Sequence, residues 1–137
     1  MKASQIIINK LRNEPDSIAK VKQLNGNYTN LYFVKPETFW SDNLYKLVHD
    51  GYSFELFDIL EEQSIRFSNK RIPKGNARKN KLGDPNCDKD TAIGILGYSF
   101  FKKQNGESIY EPMHVIAAVL EWANIAKNER GYIKFYW

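Results

Sequence analysis

Residues 66–81 of this chain hold seven cations and no acid. They are Arg66, Lys70, Arg71, Lys74, Arg78, Lys79 and Lys81. The same stretch contains Pro73-Lys74-Gly75-Asn76 and little apolar material, which predicts an exposed loop or hairpin rather than a long helix. The whole protein has 20 Lys+Arg against 16 Asp+Glu, so removing the seven leaves 13 against 16, and the net charge falls from +4 to −3. The basic character therefore sits in one segment. Like charges so close repel one another, and a polyanion relieves that repulsion while releasing its own bound counterions. The segment thus points to a class of ligand and names no reaction.

A chain of 137 residues is expected to form a single domain, 1–137, with the basic loop at 66–83 exposed. Hydrophobic content of 42% and charged content of 26% are ordinary for a globular protein and argue against disorder. Cys87 is the sole cysteine, which rules out an intramolecular disulfide and a disulfide scaffold. The apolar run Ile6-Ile7-Ile8 is too short for a signal-peptide core, and no stretch approaches a membrane span. The expectation is a soluble, cytoplasmic protein without membrane contact.

Helical spacing of Ile7, Ile8 and Leu11 predicts a first helix over 4–13, ended by Pro15. Asn25-Gly26 is a hairpin signal between strands at 18–24 and 28–35. Two short helices are expected next, one over 41–50 capped by Ser41 and one over 54–63 capped by Ser53. After the basic segment, Asp90 is placed as the cap of a helix over 91–103. Gly94 and Gly97 inside it each cost about 1 kcal/mol relative to alanine, so the helix is either loose or closely approached by another backbone. A short strand is expected at 107–110. Pro112 then opens a helix over 113–122, with Val115, Ile116, Val119 and Leu120 inward. Two strands at 125–127 and 132–137 flank Asn128-Glu129-Arg130-Gly131. The aromatic run at 132–137 is expected either to be tied into a sheet or to pair with another copy as a homo-oligomer edge. The fold class is α+β: an N-terminal helix and hairpin, central short helices, and a C-terminal helix followed by a hairpin.

The text from Val119 to Ile133, helix, short strand, charged turn and second strand, resembles the end of many winged-helix domains. That resemblance implies that the helix before the wing enters the major groove and that the wing touches phosphate or minor groove. The chain departs from it at the helix. A recognition helix exposes polar and basic residues to base edges, whereas 113–120 is mostly apolar and only His114 and Glu121 face out. No recognition role is carried over to this helix.

Other chemistry is thinner. Asp84, Asp88 and Asp90 stand at a spacing that can hold Mg²⁺ or Ca²⁺, but they lack the EF-hand order, and no metal or cofactor is assigned. His49 and His114, the two histidines, have no second His or Cys nearby for zinc. Cys87 beside Asp88 is a poor candidate for a thiolate. Tyr28, Tyr32, Phe33, Phe39 and Trp40 concentrate around the first hairpin, where one strand face should be core and the other is free for a partner or for stacking on bases.

The expected function is binding of nucleic acid, DNA in the first place. Arg66, Lys70, Arg71, Lys74, Arg78, Lys79 and Lys81 would neutralise phosphates, with Asn76 and Asn80 as assisting hydrogen-bond groups. Two other classes compete. One is a non-enzymatic regulator or inhibitor of an acidic protein partner, steered by the same cations. The other is a metal-dependent nuclease built on Asp84, Asp88 and Asp90.

Overall fold

Two antiparallel sheets and four helices make up the α+β domain among the described residues of the computed structural model, which are 1–42, 50–109 and 113–137. The first helix, α1 (Ala3–Arg12), buries Ile7 and Leu11 as their spacing predicts. Its N-terminus has no side-chain cap of its own. The backbone N–H of Ser4 donates to Asp58 Oδ1 at 2.8 Å and that of Ala3 to Glu61 Oε1 at 3.1 Å. Both carboxylates belong to α2 (Glu55–Ser64). They satisfy orphan donors and oppose the positive end of the helix dipole, so a tertiary contact does the work of a local cap.

The hairpin of β1 (Ile18–Lys22) and β2 (Tyr28–Lys35) turns where Asn25-Gly26 predicts. Gly26 has φ +90°, and Asn27 N–H donates to Asn25 Oδ1 at 2.9 Å. Ala19 opposite Leu31 and Val21 opposite Thr29 are buried, which turns Lys20, Lys22, Tyr28 and Asn30 to the other face. Two short strands, β3 (Thr38–Ser41) and β4 (Tyr52–Ser53), extend the sheet in the order β1-β2-β3-β4. Ser41 is therefore a strand residue and not a helix cap. It is fully buried, and its hydroxyl shares a hydrogen bond with Thr29 on the neighbouring strand. The rest of the helix expected over 41–50 lies, for 43–49, outside the described residues. Ser53 does meet α2, because Glu55 N–H donates to its hydroxyl at 3.2 Å. Of the aromatic concentration, Phe39 and Trp40 are core and Tyr28 is exposed: Phe39 lies 5.0 Å from Phe54 and 5.4 Å from Phe57, ring centre to ring centre.

The second sheet joins β5 (Arg71–Pro73), β6 (Ala126–Glu129) and β7 (Tyr132–Phe135) in the order β5-β7-β6. The expected C-terminal hairpin is present, and its last strand is tied into a sheet as the central member. The strand β5 is a finding the basic text concealed. Ile72 is fully buried opposite Ile133, and Ala77 and Leu82 are also buried, so segment 66–83 is anchored at three points and not one continuous exposed loop.

The helix after it, α3 (Ala92–Ser99), is capped by Thr91, whose hydroxyl accepts from Gly94 N–H at 3.1 Å. Asp90 is not the cap, and the helix ends before Lys102 and Lys103 instead of continuing to 103. Close approach explains its glycines. A Cβ on Gly94 would sit 1.7 Å from the Asp88 carbonyl oxygen, and one on Gly97 would sit 2.3 Å from Ile109 Cδ1. The strand expected at 107–110 is absent over 107–109, where Leu82 instead receives a backbone bond from Gly106 and gives one to Glu107. Tyr110, with Pro112 and its expected role at the helix start, lies outside the described residues. The last helix, α4 (Met113–Trp122), runs where the sequence predicts and buries Val115 through Leu120.

Candidate functional site

Six of the seven segment cations divide into three groups. Arg66 is held by the protein itself: its guanidinium meets Asp90 Oδ1 at 2.7 Å, also donates to the Lys89 carbonyl, and covers the Phe67 ring. It latches the end of α2 to the loop before α3. Lys74 and Lys81 have neutral partners, Asn128 Oδ1 and Ser108 Oγ, each at 2.5 Å. Lys70, Arg78 and Lys79 have no side-chain hydrogen bond or ion pair among the described residues. Asn76 and Asn80 spend polar atoms on loop shape: Asn76 Oδ1 accepts from Arg78 N–H, and Asn80 Nδ2 donates to the carbonyls of Asn76 and Arg78.

Arg71 belongs to a different arrangement. On β7 it has Lys134 directly opposite, and Lys134 in turn faces Lys127 on β6. Alternation turns Ile72, Ile133 and Asn128 inward, so Arg71, Lys134 and Lys127 form one row across the outward face of the sheet. Directly opposed residues on antiparallel strands have Cβ atoms about 5 Å apart, and like charges there are destabilising. One carboxylate offsets the row: Arg71 Nε donates to Glu129 Oε1 at 3.1 Å, while the guanidinium stacks 3.6 Å above the centre of the Tyr132 ring. The stack fixes the guanidinium plane and leaves its two terminal nitrogens without a partner among the described residues. Lys127 and Lys134 were not picked out from the sequence. Their signal was available, because a turn centred on Arg130-Gly131 pairs 127 with 134.

A second concentration lies at the tip of the same hairpin. An open hollow of about 490 Å³ is lined by Gln23, Asn25, Lys74, His114, Asn128 and Arg130. It brings together the β1–β2 turn, the start of α4 and the β6–β7 turn. Lys74 reaches it because its backbone continues the β5 pairing, its N–H donating to the Gly131 carbonyl at 2.8 Å. Partial burial pushes the Lys74 ammonium below its ordinary pKa, and the Glu121 carboxylate draws it partly back. Such an ammonium is incompletely solvated, and an anion entering the hollow supplies the missing counter-charge.

The acids of 84–90 are used locally. Asp84 Oδ2 accepts from Lys81 N–H at 2.7 Å, Asp88 Oδ1 from Asp90 N–H at 2.9 Å, and Asp90 pairs with Arg66. Among the described residues, no three His, Cys, Asp or Glu side chains gather as a metal site. Asp88 and Asp90 do line a neighbouring hollow of about 550 Å³ with Tyr132, so the cationic surface has an acidic border. Cys87 is buried, His114 is exposed at the first hollow, and His49 is outside the described residues. No helix among the described residues is long and apolar enough to cross a membrane.

Comparison with known proteins returned no matching family model, no matching curated protein and no matching solved structure.

Proposed function

We propose that this chain binds nucleic acid, with duplex DNA as the preferred form, by phosphate contacts from the β5-β7-β6 sheet and the loop that follows β5. The carrying observation is the cross-strand row Arg71–Lys134–Lys127, a repulsive arrangement that a phosphate backbone converts into an attractive one. Lys70, Arg78 and Lys79 add cations without an ion pair or side-chain hydrogen bond among the described residues, and Lys74, His114 and Arg130 line the hollow at the hairpin tip. Arg66 has no part in this surface, since Asp90 already neutralises it. Asn76 and Asn80 shape the loop that carries Arg78 and Lys79.

The local order α4, β6, β7 accords with the winged-helix resemblance, in which a wing touches phosphate. The helix does not accord with a recognition role, because 115–120 is buried. Contact is therefore assigned to the sheet and loops, which position a duplex without reading its bases.

The test is a titration of a short blunt duplex at several salt concentrations. If about four cations meet phosphates, the log–log slope is roughly −3 to −4. Replacing Lys70, Lys79, Lys127 and Lys134 by Gln flattens it. Absence of binding at low salt defeats the proposal and leaves the acidic protein partner, which would use the same cations to steer association.

A further inference from the structure

The outward face of the first sheet is unused by the surface described above. Pairing sets Lys22 opposite Tyr28, Lys20 opposite Asn30, and Ile18 opposite Tyr32. All six lie on the face turned away from Ala19, Val21, Thr29 and Leu31. Tyr28 is 61% exposed and Ile18 is 47% exposed, which is unusual for large apolar side chains on a strand. An open hollow of about 590 Å³ lies over Lys20, Tyr28 and Asn30. Asp42 borders this face and accepts from Asn30 Nδ2 at 2.8 Å. Lys20 and Lys22 have no ion pair or side-chain hydrogen bond among the described residues.

Lysines on an edge strand have a plain use, since they discourage pairing with another sheet. That accounts for Lys20 and Lys22 on β1. It does not account for Tyr28, which stands exposed on β2 inside the sheet, or for Tyr32, half-buried on the same face.

We infer that this face is a stacking platform for single-stranded nucleic acid. Two aromatic rings on alternate outward positions of one strand, Asn30 between them and ammonium groups alongside, match what a flexible polynucleotide needs: rings for bases, cations for phosphates and an amide for base edges. Duplex DNA does not fit, because its bases are stacked on each other and closed to the tyrosines. The face also runs into the cationic hollow. Lys22 and Tyr28 border the turn whose Gln23 and Asn25 line the hollow with Lys74 and Arg130. A strand leaving the platform at Tyr28 therefore reaches the hollow lined by Lys74 and Arg130. The platform stands independently of the duplex-binding proposal.

The experiment measures binding of a labelled oligothymidylate of roughly twelve nucleotides, within the length a small single-strand-binding fold occupies, alongside the blunt duplex. Tyr28→Ala with Tyr32→Ala lowers oligothymidylate affinity about tenfold or more, while Tyr28→Phe with Tyr32→Phe retains it, because the phenyl ring still stacks. Lys20→Gln with Lys22→Gln reduces the single-strand salt slope by roughly 1.4. Duplex affinity is unchanged in the tyrosine variants. Thermal unfolding of each variant establishes that the fold is kept. Equal oligothymidylate affinity for the folded Ala variant and the parent overturns the platform, as does no binding of the parent at low salt. Sedimentation of the parent as a dimer that the Ala variant abolishes also overturns it, since a second copy would then be the occupant. Loss of duplex binding alone touches only the earlier proposal.

Discussion

Arg71 and Lys134 are direct cross-strand partners on β5 and β7, and Lys127 stands on the far side of Lys134. Lys134 thus has a cation on either side and no ion pair among the described residues. A surface kept only for stability would place an acid at this position. Replacing Lys134 by Gln should raise stability by about 0.5 kcal/mol, within the range of cross-strand pair terms. The same change should reduce the duplex salt slope by roughly 0.9. Urea unfolding and salt titration of one variant check both. A variant less stable than the parent with an unchanged slope would remove the row from the function.

Arg66 and Lys79 belong to one charge run and should behave differently. Arg66→Gln breaks the exposed pair with Asp90, so it should cost at most about 1 kcal/mol and leave the salt slope alone. Lys79→Gln should leave stability alone and lower the slope by roughly 0.9. Equal effects on binding would mean that the segment acts only through its total charge.

The Lys74 ammonium gives stability a pH dependence of known sign. Its folded pKa lies below 10.5, mainly through burial, so the unfolded chain binds the proton more tightly. Its burial penalty is present in full below the folded pKa and fades as pH rises toward 10.5, so this group makes stability increase across that window. Tyr32 acts oppositely. Burial, then the Asp42 charge, raise its pKa above 10.0, and it removes stability above that pH. Denaturant unfolding from neutral pH up to the tyrosine range should show a rising contribution that Lys74→Gln abolishes. Phosphate bound in the hollow should raise the Lys74 pKa and reduce the same slope.

Gly94→Ala tests the packing of α3. The added Cβ would lie 1.7 Å from the Asp88 carbonyl oxygen, so the helix or the loop must move. A destabilisation of about 3 kcal/mol is expected despite the better helix propensity of alanine. A neutral or stabilising outcome in thermal unfolding would mean that the loop carrying Asp88 yields freely.

Three elements were legible almost to the residue: α1, the β1–β2 hairpin and α4. The first two combine apolar patterning with a local stop or turn signal, Pro15 and Asn25-Gly26, and α4 rests on the apolar spacing within 113–122. Three other expectations failed where the deciding partner was distant in sequence. Ser41 looked like a cap because nothing local reveals Thr29. Asp90 looked like a cap because nothing local reveals that Arg66 holds it, which leaves the adjacent Thr91 to cap the helix. The basic stretch looked like an exposed loop or hairpin with little apolar material, and only pairing with Ile133 makes its Ile72 part of a strand. The candidate surface was half legible for the same reason. The run 66–81 announced itself by density, whereas Lys127 and Lys134 became its neighbours through pairing.

The placement of β7 between β5 and β6 carries a consequence for synthesis. While the chain emerges from the ribosome, Ile72 has no strand to lie against until Ile133 has been made. Through that interval Arg71 is already exposed without its neighbours on the sheet. The segment's cations are therefore exposed on an unfolded chain before the sheet that sets their spacing exists.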